Sequence, residues 1–163
     1  MLTLLALLSV LPANAAHPCS RYGCDDDITP PPPAESTLAH NKRIVREFYD
    51  LAFNQHRPTD AAMKYLAVSY KQHNPHVADG RQGFIDAFAN PTEPDESVTD
   101  FKRFVAEDDL VVVHSHGVDH PKDPKDLGVA VVDIFRVSED LITEHWDVGQ
   151  KVPATSKNPN GMF

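Results

Sequence analysis

The sequence predicts an α+β domain in which three helices pack on one face of a mostly antiparallel sheet. Two observations carry this. Between Ser36 and Ala89 apolar residues recur every three or four positions, whereas from Val98 onward they recur every two. Helices first and turn-linked strands afterwards fit helices stacked on a meander, not helices alternating with parallel strands. With 163 residues, a net charge of −9 and 41% apolar residues, the chain suits one globular domain.

The elements follow in order. Residues 1–16 hold an apolar run, Leu2 to Leu11, and then Ala13-Asn14-Ala15, which together read as a secretory signal peptide. The run is too short to cross a bilayer. Residues 17–35, with "CDDDITPPPPAE", form a Pro-rich leader that favours an extended spacer. Its Cys19 and Cys24 either close a small disulfide in an oxidising compartment or remain two unpaired thiols. The expected destination is secreted, periplasmic or extracellular, with no membrane attachment after cleavage. The domain then spans residues 36–163. At roughly 150 residues a domain buries about 70% of the surface its unfolded chain exposes, enough to build a pocket and stay folded.

From Ser36, the residues Leu38, Ile44, Val45, Phe48, Leu51 and Ala52 lie on one face of a long helix capped by Ser36 or Thr37. Pro58 breaks the pattern, and Thr59 or Asp60 is expected to cap a second helix carrying Ala62, Met63, Tyr65 and Leu66. "SYKQHNPH" reads as a short extended piece ending at Pro75. "DGRQGFIDAFAN" makes a third helix with Phe84, Ile85 and Phe88 at helical spacing, closed by Pro91. Strands are expected at Val98–Ala106, Leu110–Val118, Gly128–Val137 and Leu141–Gln150, joined as an antiparallel meander. The tail "KVPATSKNPNGMF" is too broken by Pro and Asn to extend the sheet.

Strand parity places the polar residues. Val129, Val131, Asp133, Phe135 and Val137 share a face, so one carboxylate interrupts an apolar row. Burial there raises its pKa, the tuning a general acid needs; a partner fixing strand register is the structural alternative. On the last strand His145 and Asp147 share a face and Trp146 opposes them. The turn "SED" sets this strand beside the previous one, so Asp133, His145 and Asp147 gather if their faces agree. On the second strand His114 and His116 share a face and would offer a metal, with Asp133, a mixed nitrogen and oxygen set. Cavity histidines that hydrogen-bond a ligand are the commoner arrangement, and His73 in "QHNP" is similar, so no resident metal is expected. The chain has no G-x-S-x-G elbow, Walker loop or G-x-G-x-x-G, which argues against a hydrolase triad, a nucleotide and a nicotinamide. The acidic charge without a basic cluster argues against nucleic acid.

"YKQHNPHVADGRQGFIDAF", "AEDDLVVVHSHG", "VAVVDIFRVSEDLITEHWDV" and "NPNGMF" together resemble the SnoaL-like polyketide cyclases of the nuclear transport factor two-like superfamily, from Ser36 to Phe163. The resemblance implies a conical, cystatin-like α+β barrel: a curved sheet wrapped around the helices to enclose a deep apolar pocket, usually in dimers or tetramers joined through the outer face of the sheet, with a homodimer expected here. It also implies an intramolecular aldol ring closure without metal or organic cofactor, with the acid/base carboxylate at the position of Asp147 and a second polar position at Asp133.

The expected function is therefore a cofactor-independent lyase or isomerase acting on a small carbonyl compound. Asp147 would take a proton from the carbon beside the carbonyl. His73 or His114 would donate hydrogen bonds to the enolate, and protonated Asp133 or His145 would return a proton. Ligand contacts are expected from Asn74, Phe84, His116, Phe135 and Trp146. The alternative is a secreted, non-catalytic protein that holds an apolar ligand in the same pocket.

Overall fold

The computed structural model describes residues 35–90 and 95–163; the signal peptide, Cys19, Cys24 and nearly all of the leader lie outside the described residues. Three helices and five strands run in the order α1 (Thr37–Tyr49), α2 (Pro58–Tyr65), β1 (Leu66–Gln72), α3 (Gly80–Phe88), β2 (Val98–Glu107), β3 (Leu110–Val118), β4 (Val129–Ser138) and β5 (Leu141–Lys151). The strands form one curved, unclosed sheet in the order β1-β5-β4-β3-β2. β2 to β5 make the expected antiparallel meander. The extended piece before Pro75 turns out to be a fifth strand, lying parallel to β5 at the edge. A parallel pair needs a long crossover, here everything between β1 and β5, so no local turn signal announces it.

Ser36 caps α1, its hydroxyl accepting the Ala39 N–H at 3.3 Å. Past Tyr49 the helix widens into a π turn over Asp50–Asn54. There Asn54 turns back to β2: its amide nitrogen donates to the Thr99 carbonyl at 3.1 Å and its oxygen accepts the Thr99 N–H at 2.9 Å. The side chain thus pairs with the strand edge as another strand would. Contrary to expectation, neither Thr59 nor Asp60 caps α2. Pro58 opens that helix, where its missing N–H costs nothing, and Asp60 binds the Arg57 guanidinium instead.

The core lies between the helices and the inner face of the sheet. Ile44, Val45, Phe48 and Tyr49 from α1, Ala61 and Tyr65 from α2 and Phe84 from α3 meet Leu66, Tyr70, Val111, Val113, Phe135, Val137 and Ile142. Each large apolar side chain buried in this way contributes about 1.5–3 kcal/mol. Leu38, by contrast, is 40% exposed. One irregularity shapes the site: Arg136 pairs with Glu144 but Val137 pairs with Ile142, so Thr143 is an extra residue, a β-bulge. It lets both Ile142 and His145 point inward, which strict alternation forbids.

Candidate active site

At the inner face of β4 and β5 the register sets Asp133 opposite Asp147 and Phe135 opposite His145. These side chains enter a cavity of about 300 Å³ whose walls are largely aromatic, including Phe48, Phe53, Phe84, Phe88 and Phe135. Its polar groups are Tyr49 from α1, Tyr70 and Gln72 from β1, Asn74 just beyond it, and Asp133, His145 and Asp147 from β4 and β5, with Ser97, Thr99 and Asp119 also in the lining.

His145 uses both ring nitrogens. Nδ1 lies 2.9 Å from Gln72 Oε1, and Nε2 lies 3.1 Å from Asp133 Oδ1. The Gln72 oxygen also accepts the backbone N–H of Asn74 at 2.9 Å, while the Gln72 amide nitrogen donates to the Tyr70 hydroxyl at 3.0 Å. A backbone N–H only donates, so the orientation of the Gln72 amide is fixed, and Nδ1, facing a carbonyl oxygen, must carry a hydrogen. The contact between Nε2 and Asp133 then needs one proton, on the carboxyl or on the ring. Without it two lone pairs would face each other in a site where His145 is 8% and Asp133 2% exposed.

Burial pushes the Asp133 carboxyl above its usual range, while the hydrogen bond and charge of His145 pull it back. Its second oxygen, Oδ2, is buried and has no hydrogen-bond partner among the described residues. Buried Tyr49 stands close by; its own pKa is driven well up, first by burial and then by the Asp133 charge, so it remains a phenol. Asp147 is half-buried, and its Oδ2 accepts from the Asn74 amide at 2.6 Å. One polar atom from each of Asp133, His145 and Asp147 lies within 4.8 Å of the others, close enough to pass a proton between them through a bound molecule.

Residues 45–145, more than half of the chain, match the family model described as a SnoaL-like domain. The chain belongs to the SnoaL-like domain family. Among solved structures, TsrD from Streptomyces laurentii is 21% identical, with a TM-score of 0.55 over 71% of this chain and 91% of that one. A Jannaschia sp. CCS1 protein assigned as a SnoaL-like polyketide cyclase is 16% identical, with a TM-score of 0.58 over 71% of this chain and 90% of its own. A Kribbella flavida DSM 17836 protein assigned as a ketosteroid isomerase is also 16% identical, with a TM-score of 0.58 over 78% and 88%. At such identities the likeness is one of fold. None of the curated proteins compared with the chain matches it.

Of the residues singled out in the sequence, this SnoaL-like pocket brings together Asp133, His145, Asp147, Asn74, Phe84 and Phe135. Four others lie elsewhere. His114 and His116 face the outer side of β3, because the inner positions are taken by Val111, Val113 and Ser115. His116 Nε2 donates to the Leu127 carbonyl at 2.9 Å, and both rings lie against Phe163 of the tail. They therefore join neither the cavity nor a metal set with Asp133. His73 also points outward, since Gln72 and Asn74 on either side of it point in. It stacks on Trp146 at 4.9 Å and reaches Glu144 at 2.9 Å. Trp146 is thus on the back of the sheet near Arg136, not a ligand contact.

Tyr49, Tyr70 and Gln72 belong to the site and were not singled out. Tyr49 follows Val45 by one helical turn, and Tyr70, Gln72 and Asn74 keep strand parity through "YKQHN", so both periods contained the signal. Gln72 is anchored from behind, its backbone N–H donating to Asp79 Oδ1 at 2.8 Å at the start of α3.

Proposed function

We propose that this SnoaL-like protein is a cofactor-independent acid/base enzyme that enolises a small carbonyl compound, leading to an aldol-type ring closure or an isomerisation. The observation that carries the proposal is the 3.1 Å contact of His145 Nε2 with Asp133 Oδ1, which calls for one shared proton, beside a separate carboxylate, Asp147. Asp147 removes the proton from the carbon next to the carbonyl. The charge that develops on the carbonyl oxygen is met by the proton of the Asp133–His145 pair. Losing that proton leaves two lone pairs facing each other, so the pair recovers it from the product or from Asp147. Positioned groups of this kind contribute about 10²–10⁴-fold to rate. The names of the structural neighbours, a polyketide cyclase and a ketosteroid isomerase, are in keeping with chemistry at a carbonyl.

The test is α-proton exchange in D₂O, followed by NMR, with an uncharged, aryl-substituted alkyl ketone such as 4-(3-oxobutyl)benzyl alcohol. The proposal expects the protein to accelerate exchange. If the ketone binds and its α protons exchange no faster than in buffer, the pocket is a binding site without catalysis. The signal-like run Leu2–Leu11 further supports secretion as the setting for this activity, and the exposed Val148 beside Trp146 on the outer face of β5 supports pairing with a second copy. Retention of an intact N-terminus on export, and a monomeric mass in solution, would remove these two readings.

A further inference from the structure

The cavity is acidic as well as aromatic. Among the described residues no lysine or arginine lines it, while Asp119, Asp133 and Asp147 do. Because Asp133 and His145 share one proton, that pair is neutral and the charge rests on Asp147 and Asp119. The two stand at different depths. Asp147 lies across from Asp133, whereas Asp119 follows the end of β3, six positions beyond Val113, the β3 partner of Asp133, at the exposed rim. The lining also offers aromatic faces, Phe53 and Phe88 among them, which attract cations as well as apolar groups. The Asp119 side chain makes no ion pair among the described residues; Lys125 and Lys151 line a neighbouring hollow that also borders it. The net charge of −9 draws cations towards the protein and repels anions.

We infer that the pocket selects an elongated carbonyl compound that carries a positively charged amine, with its carbonyl end at Asp147 and its amine towards Asp119 at the rim. The orientation rests on the proposed enolising role of Asp147; the charge selection rests on the lining alone. An anionic ligand of the same shape meets two carboxylates and no counter-charge in a partly dehydrated cavity, where like charges are costly.

Three probes of matched shape test this: 4-(3-oxobutyl)benzylamine, the corresponding benzyl alcohol and 4-(3-oxobutyl)benzoate, titrated by NMR at low ionic strength. The amine is expected to bind about tenfold more tightly than the alcohol, a difference of about 1.4 kcal/mol, and the benzoate more weakly than either. Asp119→Asn is expected to narrow the amine-to-alcohol ratio, as is added salt. The inference is overturned if the benzoate binds as well as the alcohol, or if Asp119→Asn leaves the ratio unmoved. The expected order without α-proton exchange would remove the enolising role and leave the charge selection standing. Exchange of the alcohol probe with no preference for the amine would do the reverse. Failure of all three to bind at millimolar concentration overturns both.

Discussion

Replacing Gln72 with Leu removes the acceptor that fixes the His145 ring. In the folded protein Gln72 Oε1 receives two donors, His145 Nδ1–H at 2.9 Å and the Asn74 N–H at 2.9 Å. His145 is 8% exposed, so its orphaned N–H finds no water and costs about 1–3 kcal/mol, whereas the half-buried Asn74 N–H costs less. A loss of about 2 kcal/mol follows, which for a domain of this size lowers Tm by roughly 6–10 °C. The ring is also freed to take the other tautomer, with Nε2–H donating to an Asp133 carboxylate, and the shared proton is no longer required. Thermal unfolding by circular dichroism reads the first effect. Two-bond ¹⁵N–¹H NMR of the histidine ring reads the second, as a shift from the Nδ1–H pattern towards a mixture. Gln72→Glu keeps an acceptor against both donors and is expected to restore the Nδ1–H pattern. A Gln72→Leu protein with unchanged Tm and unchanged ring shifts would refute the reasoning.

Other consequences are independent. Asp133 keeps its proton to higher pH when folded than when unfolded, so above the usual carboxylate range the native state binds more protons and stability falls as pH rises. Asp133→Asn mimics the protonated form, and its Tm relative to wild type is expected to increase from pH 4 towards neutrality; a constant difference contradicts this. Gly83→Ala, which helix propensity alone would favour, is expected to destabilise by about 1–3 kcal/mol, because the new Cβ would lie 2.2 Å from the Ala78 carbonyl oxygen. Denaturant unfolding checks the sign. His114→Ala is expected to leave α-proton exchange unchanged, since the ring faces Arg103 and Phe163 on the outside of the sheet. A large loss of exchange would return His114 to the site.

Much of this was legible in the sequence because period and parity are local. The row Val129 to Val137 contains one carboxylate among apolar neighbours, which marks its inner face, and the alternation through "HWD" ties His145 to Asp147 and opposes Trp146. β3 resisted the same reading. "LVVVHSHGV" carries valines at both parities, so alternation alone does not say which side is buried, and the structure turns the histidines to the outer one. The outward turn of His73 is hidden for a different reason. Without knowing that Leu66–Gln72 joins the sheet, parity could not be applied to the residues beyond it, and the pairing with β5 forms across most of the chain. The bulge at Thr143 was hidden as well, since an extra residue shows only when two strands are set side by side. Gln72 shows where such reading stops: its role depends on three partners brought in from β1, the loop after it and β5.

The central claim is that Asp147 is the base. Its most direct test is the rate of α-proton exchange of 4-(3-oxobutyl)benzyl alcohol with Asp147→Asn, alongside the dissociation constant of the same ketone. Asparagine keeps the size and the contact with Asn74 but accepts no proton. The account predicts exchange reduced by about 10²-fold or more with binding little changed. Exchange at the wild-type rate in the variant would contradict it.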